Sequence, residues 1–164
     1  RRVWPDFIAG AHHKMIAKKF EDIANGKIKR LIINMPPRHT KSEFASYLLP
    51  SWIIGREPKT KIIQTTHTAE LAVNFGRKVR NLIATLEYKN IFDSVDLQSD
   101  SKAAGRWSTN HGGEYFAAGV GGAITGRGRR GHCNSYDKVV VTRFDGACNQ
   151  GPGLRRACGQ VGGD

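Results

Sequence analysis

The stretch Arg30-Leu-Ile-Ile-Asn-Met-Pro-Pro-Arg-His-Thr-Lys-Ser42 decides the fold that we predict. Its apolar part, residues 30–35, is a short continuous run typical of a buried strand. The following proline pair ends that strand, because proline has no amide hydrogen to donate across a sheet. Apolar side chains spaced four apart then predict a helix over residues 41–54, which Pro50 should kink or split. A basic turn therefore lies between a buried strand and a helix.

The chain on both sides of this turn also shows helix and strand patterns. A helix is predicted over residues 11–24, ending at the helix-stop pair Asn25-Gly26, and a second buried strand over residues 61–66. A long amphipathic helix follows. Its apolar stripe is formed by Ala72, Phe75, Val79, Leu82, Ile83 and Leu86. This order predicts an α/β fold whose parallel sheet has flanking helices, with strand 30–35 central and parallel to strand 61–66.

The second half of the chain changes character along its length. Residues 93–105 are polar and are predicted to form a loop, whereas residues 106–109 and 114–117 flank Asn-His-Gly-Gly, which predicts a β-hairpin. Residues 119–128 form a glycine-rich connection. The tail, residues 129–164, holds 7 of the 19 glycines and all three cysteines, which we interpret as free thiols. Within it only Val139-Val-Val141 is strand-like, so we predict a disordered tail.

The basic turn has the position of a Walker A phosphate loop. Lys41 and Ser42 match the end of the pattern G-x-x-x-x-G-K-[ST], whereas Met35 and Thr40 stand at its two glycine positions. In such a loop the backbone amides face the phosphates, Lys41 reaches the β- and γ-phosphates, and the Ser42 hydroxyl ligates Mg²⁺. The alternative is a basic turn that opens a surface helix, with Ser42 as its cap. A β-branched Thr40 at positive φ would cost about 1–3 kcal/mol, which predicts weak ATP binding.

The residues around this turn resemble the N-terminal ATPase part of phage terminase large subunits, where Pro-Pro-Arg-His replaces the glycine-led start of the loop. The resemblance covers about residues 5–128, in six pieces that keep the family's order. They are Lys29–Glu43, Thr65–Ala72, Arg77–Arg80, Tyr88–Phe92, Trp107-Ser-Thr with Gly112-Gly113, and Gly119–Gly128. The resemblance implies a RecA-like P-loop NTPase core, incomplete in this chain, that couples ATP hydrolysis to translocation of double-stranded DNA into a procapsid.

The resemblance also implies a set of functional residues and partners. ATP and Mg²⁺ would be held by Pro37, Arg38, His39, Thr40, Lys41 and Ser42, with Ser42 the ligand of Mg²⁺. Arg38 and Lys41 are the catalytic candidates; Arg38 would contact the γ-phosphate and sense its loss, unless it is a plain surface arginine. The family usually has glycine at the position of Thr40. Expected partners are double-stranded DNA, the portal protein, the small terminase subunit and further copies of the chain, in the host cytoplasm at the procapsid.

The family's next motif is missing after Gly128. There the family continues as Ala-Asp, an apolar strand and paired aspartates, the Walker B motif that orients Mg²⁺ and activates water. This chain instead has Arg129-Arg-Gly-His-Cys-Asn-Ser135, and Val139–Asp145 has the wrong spacing. Codons for residues 130–134 exist that read Ala-Asp-Ile-Val one base later. We hypothesise that residues 1–128 are a partial ATPase domain, that residues 129–164 are a frame-shifted readout, and that the start, at Arg1, is missing or processed.

Charge and the remaining side chains leave several alternatives. The formal charge of +12 favours a polyanionic partner, and neither a membrane-length apolar run nor a signal peptide is present. Trp4 and Phe7 are expected in the core rather than stacked on adenine. His12-His13 lacks further ligands for a metal.

The alternative functions are a non-catalytic basic module that binds nucleotide or DNA, and another P-loop helicase or translocase. One helix face is basic and has two interpretations: it is a solvated face, or it contacts DNA or a neighbour's ATP site. Its residues are Arg77, Lys78 and Arg80.

Overall fold

The computed structural model describes Trp4 and residues 6–36, 38–120 and 138–141 of the 164-residue chain. Its α-helices are α1 (Ala11–Ala24), α2 (Leu49–Arg56), α3 (Ala69–Ile83) and α4 (Leu86–Lys89), and a π-helix spans Glu43–Leu48. Its strands are β1 (Lys61–Thr66), β2 (Leu97–Ala103), β3 (Arg106–Thr109), β4 (Glu114–Gly119) and β5 (Lys138–Val141). None of the described helices is both long enough and apolar enough to cross a membrane.

The strands form one mixed sheet in the order β2-β3-β4-β1-β5. β1 is parallel to β4 and to β5, whereas β2, β3 and β4 pair antiparallel. The predicted hairpin is confirmed as β3 and β4, and its short turn makes these two strands antiparallel. The α/β class is therefore confirmed, and the parallel arrangement holds only for the β4-β1-β5 part of the sheet.

The predicted central strand over residues 30–35 is not formed. These residues have no regular secondary structure, and Ile32 is 71% exposed. Leu31 and Ile33 are partly buried against the core instead. A strand has two edges, and both edges of β1 are occupied, one by β4 and the other by β5. Residues 30–35 consequently have no ladder position beside β1, and the prediction that they pair parallel to residues 61–66 is wrong.

The tail contributes one strand to this sheet. The prediction of a strand at Val139–Val141 is confirmed by β5, which pairs with Ile62–Thr65 of β1. The predictions of disorder and of a frame-shifted readout for the rest of residues 129–164 lie outside the described residues, as does the glycine-rich connection beyond Val120.

The first helix is confirmed with the predicted bounds. α1 ends at Ala24, Asn25 follows as its C-cap, and Gly26 has a φ of 73°. This left-handed conformation is open to glycine at little cost, which explains why the pair Asn25-Gly26 stops the helix. Phe20 is buried in the core, and Ile16 packs partly buried against it.

The helix predicted over residues 41–54 extends to Arg56, and Pro50 is accommodated without a break. The turns before Pro50 widen into the π-helix, in which the Leu49 amide donates to Phe44 O, five residues back. Pro50 itself has no amide hydrogen to donate. At the next residue, the Ser51 hydroxyl donates to Tyr47 O at 2.6 Å. The helix thus continues because a wider turn and a side chain supply its hydrogen bonds.

Two boundaries differ from the sequence prediction. α3 ends at Ile83, because Thr85 caps a new short helix by accepting from the Tyr88 amide at 3.3 Å. Leu86, predicted on the apolar stripe, is 75% exposed in the first turn of α4. Part of the predicted loop over residues 93–105 is the strand β2. β2 lies at the edge of the sheet, where one side of a strand meets solvent and a polar sequence is tolerated.

The core lies between the sheet and the helices α2 and α3. Trp107 and Tyr115 stack at a centroid distance of 4.8 Å and an interplanar angle of 4°, and the Trp107 indole donates to Gly76 O of α3 at 3.2 Å. Tyr88 is also buried, and its hydroxyl donates to Ser51 O at 2.7 Å. Burial raises the pKa of both tyrosines above the ordinary value. These contacts join α3 to the sheet and α4 to α2.

Candidate phosphate loop

The basic turn leads directly into the helix that contains the π-helix. Lys41 and Ser42 form its first turn, and the Phe44 amide donates to Thr40 O at 3.0 Å. Arg38 and His39 are exposed, whereas Thr40, Lys41 and Ser42 are half-buried. Pro37 lies outside the described residues. Five of the six predicted loop residues therefore lie at a helix start, as a phosphate loop requires, whereas the strand predicted to precede it is not formed.

Two residues of the loop have left-handed backbone conformations. Arg38 has a φ of 64° and Thr40 a φ of 59°. Thr40 stands at a glycine position of the Walker A pattern, and a β-branched side chain in this region costs on the order of 1–3 kcal/mol. A glycine position of the pattern thus has a left-handed backbone in this chain, although its residue is threonine. Contacts from the rest of the molecule must offset the strain.

A chain of hydrogen bonds joins α1 to Thr40. The Gly10 amide donates to His13 Nδ1 at 3.0 Å, which leaves Nε2 as the protonated nitrogen of a neutral ring. His13 Nε2 lies 2.7 Å from Thr40 Oγ1, and Thr40 Oγ1 donates to His39 O at 2.7 Å. Each donor in the chain has one acceptor, so the three bonds are compatible with one another.

Aromatic side chains enclose the His13 ring, which is 8% exposed. Phe44 stacks on it with a centroid distance of 4.9 Å, and Phe7 meets it edge-on at 4.8 Å. Trp4 packs against Phe7 at 5.0 Å, but both are only half-buried and lie outside the described core cluster, so the core position predicted for them is not confirmed. Burial, and then the nearby rings of His12 and His39, lower the pKa of His13 below 6.5. The neutral ring that the hydrogen bonds require is therefore the favoured form.

The charges of the loop are not neutralised within the described chain. Four described ion pairs are present, and none of them includes Arg38 or Lys41. Glu43, the carboxylate next to Ser42 in sequence, pairs with Lys78 of α3 at 2.9 Å instead. Two cations and a helix start thus lie together without a carboxylate partner among the described residues, a combination that suits a phosphate group.

The carboxylates needed for hydrolysis are not identified. Within the described ranges, no group of three or more His, Cys, Asp or Glu side chains could hold a metal ion. Ser42 remains the candidate Mg²⁺ ligand, together with the phosphates themselves. The segment Arg129–Ser135, Asp137 and Asp145 lie outside the described residues, so the prediction about the Walker B motif stays a prediction.

The structure adds two contacts that the sequence did not reveal. The sequence assigns His13 no role in the loop, and its bond to Thr40 spans 27 positions, which no local pattern predicts. The one sequence signal was its place three residues after the helix cap Gly10, where a side-chain acceptor often binds the cap amide. Lys78 belongs to the cationic cluster of α3, and it has an intramolecular partner in Glu43. No protein-family model, no curated protein and no solved structure matches this chain.

Proposed function

We propose that this chain is the ATP-binding fragment of a phage terminase large subunit, the motor that translocates double-stranded DNA into a procapsid in the host cytoplasm. The observation that carries the proposal is the position of Lys41 and Ser42 in the first turn of a helix, directly after the left-handed Thr40. A Walker A loop needs this spacing, because its lysine and hydroxyl must meet the same phosphates as the backbone amides.

Each loop residue has a role in this proposal. The amides at the helix start and the Lys41 ammonium would bind the β- and γ-phosphates, and the Ser42 hydroxyl would hold Mg²⁺. Arg38 is exposed beside them and would contact the γ-phosphate through its planar guanidinium. Pro37 and His39 would shape the turn. The net charge of +12 supports DNA as a second polyanionic partner, alongside the portal protein, the small subunit and further copies of the chain.

A second candidate function is a basic module that binds nucleotide or DNA without hydrolysing ATP. The observation in its favour is the segment Arg129–Ser135, which has no acidic residue where the terminase family continues towards its Walker B strand. Mg²⁺ positioning and water activation both need a carboxylate. ATPase assays with and without DNA separate the two functions when they use a chain that continues from Gly128 into Ala-Asp-Ile-Val-Ile and paired acids, since only a motor then shows turnover that DNA stimulates.

The proposal is tested by titrating the 164-residue chain with Mg²⁺-ATP in a calorimeter. Weak binding is expected for the wild type, and Lys41→Ala should abolish it by removing the ammonium from the phosphates. Thr40→Gly should strengthen binding, because glycine adopts a left-handed φ without strain. Lys27→Ala, which changes an exposed lysine outside the loop, is the matched control and should bind as the wild type does. Equal affinity in all four proteins would show that the loop is not the site.

A further inference from the structure

The left-handed Thr40 needs support from outside its own loop. A free chain with threonine at this position would leave the left-handed region, because the β-branched side chain crowds the backbone there. The only described side-chain contact to the Thr40 hydroxyl from another element comes from α1, through His13 Nε2 at 2.7 Å. The hydroxyl also donates to His39 O, which closes the turn from within.

His13 is itself held rigidly enough to serve as that support. Its Nδ1 accepts from the Gly10 amide, which sets the tautomer, and its ring packs against Phe7 and Phe44, which also pack against each other. Phe44 belongs to the same helix start as Lys41, and its amide donates to Thr40 O. The ring therefore contacts both sides of the turn that contains Lys41 and Ser42.

We propose that His13 is a positioning residue of the phosphate loop, whose Nε2–H bond to Thr40 Oγ1 holds the left-handed backbone that sets Lys41 and Ser42 at the helix start. As a statement about nucleotide binding, this rests on the function proposed above. Where other phosphate loops have glycine and need no support, this loop has threonine, and a histidine from a distant helix compensates for it. Loss of His13 should therefore matter only when residue 40 is threonine.

The test compares His13→Phe in two backgrounds, the wild type and Thr40→Gly. Phenylalanine keeps a ring packed against Phe7 and Phe44 but has no nitrogen to bond with Thr40. Two quantities are measured: the Kd for Mg²⁺-ATP, and, without nucleotide, the hydrogen-exchange rate of the Phe44 amide by NMR. In the wild-type background His13→Phe should raise the Kd and speed the exchange of the Phe44 amide, each by about fivefold, the size expected for one net hydrogen bond. In the Thr40→Gly background both should stay within about twofold.

Two further variants keep the test decisive. His67→Phe, at an exposed histidine that follows β1 and has no described bond to Thr40, should leave both quantities unchanged. Thr40→Val removes the same bond from its other end, together with the bond from Oγ1 to His39 O, so it should raise the Kd and speed the exchange at least fivefold even if His13→Phe does not fold. An effect of His13→Phe that is equal in the two backgrounds overturns the proposal, as does an unchanged Phe44 exchange rate in both.

Failure of the proposed function would be recognised separately. If the wild type binds no Mg²⁺-ATP, the nucleotide-binding function is wrong, and Phe44 exchange alone decides the role of His13. Faster exchange confined to the threonine background then supports His13 as the residue that holds the turn, whereas equal exchange in both backgrounds overturns it.

Discussion

Lys78 Nζ lies 2.9 Å from Glu43 Oε1, so that α3 is tied to the residue that directly follows Ser42. The same ammonium lies over the rings of Phe75 and Tyr47, at 5.7 and 6.0 Å from their centroids. Of the two interpretations of the α3 cations, a solvated face or a contact with DNA, this geometry gives Lys78 a third role, that of joining two helices within the chain.

The first prediction concerns this ion pair. Lys78→Met should lower the free energy of unfolding by at most about 1 kcal/mol, because both side chains are substantially exposed, at 54% for Lys78 and 34% for Glu43. The loss should shrink at high salt, which screens exposed charges. Urea denaturation at two salt concentrations measures it, with Arg77→Met on the same helix as the control. Equal losses in the two variants would contradict a specific role for the pair.

The second prediction concerns Gly76, where α3 approaches the sheet. A Cβ at this position would lie 2.6 Å from Ala104 O and 3.1 Å from the Tyr115 ring. Gly76→Ala should therefore destabilise the fold by about 1–3 kcal/mol, despite the better helix propensity of alanine. Thermal or urea unfolding checks this, with Asn74→Ala at an exposed position of α3 as the control. A Gly76→Ala chain as stable as the control would refute the close packing of α3 on β4.

The third prediction concerns pH. Because the pKa of His13 in the folded chain lies below 6.5, the unfolded chain takes up the proton first as the pH falls. The free energy of unfolding should thus decrease as the pH falls through 6.5 and level off below the folded pKa. After burial, the neighbouring His12 and His39 also lower the pKa of this ring.

The variant His13→Phe should remove the contribution of His13 to this decrease, which urea denaturation from neutral pH to about pH 5 would measure. His67→Gln changes an exposed histidine away from His12, His13 and His39, and it should keep the full decrease in the free energy of unfolding. An identical pH dependence in the wild type and His13→Phe would show that the His13 ring does not titrate differently in the two states.

The fourth prediction concerns hydrolysis. The 164-residue chain should hydrolyse ATP no faster than Lys41→Ala, because Arg129–Ser135 has no carboxylate to hold Mg²⁺ and activate water. Loss of one charge-stabilising group lowers phosphoryl transfer by about a thousandfold or more. A chain that continues from Gly128 into Ala-Asp-Ile-Val-Ile and paired acids should recover DNA-stimulated turnover when its oligomeric partners are supplied. Robust hydrolysis by the present chain, lost in Lys41→Ala, would mean that Asp137, Asp145 or another acid serves instead.

Local patterns determined much of the secondary structure. The periodicity of α1 and α3, the stop at Asn25-Gly26, the hairpin turn and the short apolar strands at residues 61–66 and 139–141 are all properties of neighbouring residues, and each is confirmed. In each case the physical cause acts over a few residues, so the sequence alone contains it.

Tertiary structure decided what depends on distant partners. The apolar run at residues 30–35 has the composition of a strand, yet pairing requires an unoccupied edge, and β4 and β5 occupy both edges of β1. The polar strand β2 forms because β3 pairs with it. The bond from His13 to Thr40 exists only because the fold brings α1 to the loop, since hydrogen bonds and ladder positions depend on distances in space that sequence spacing does not set.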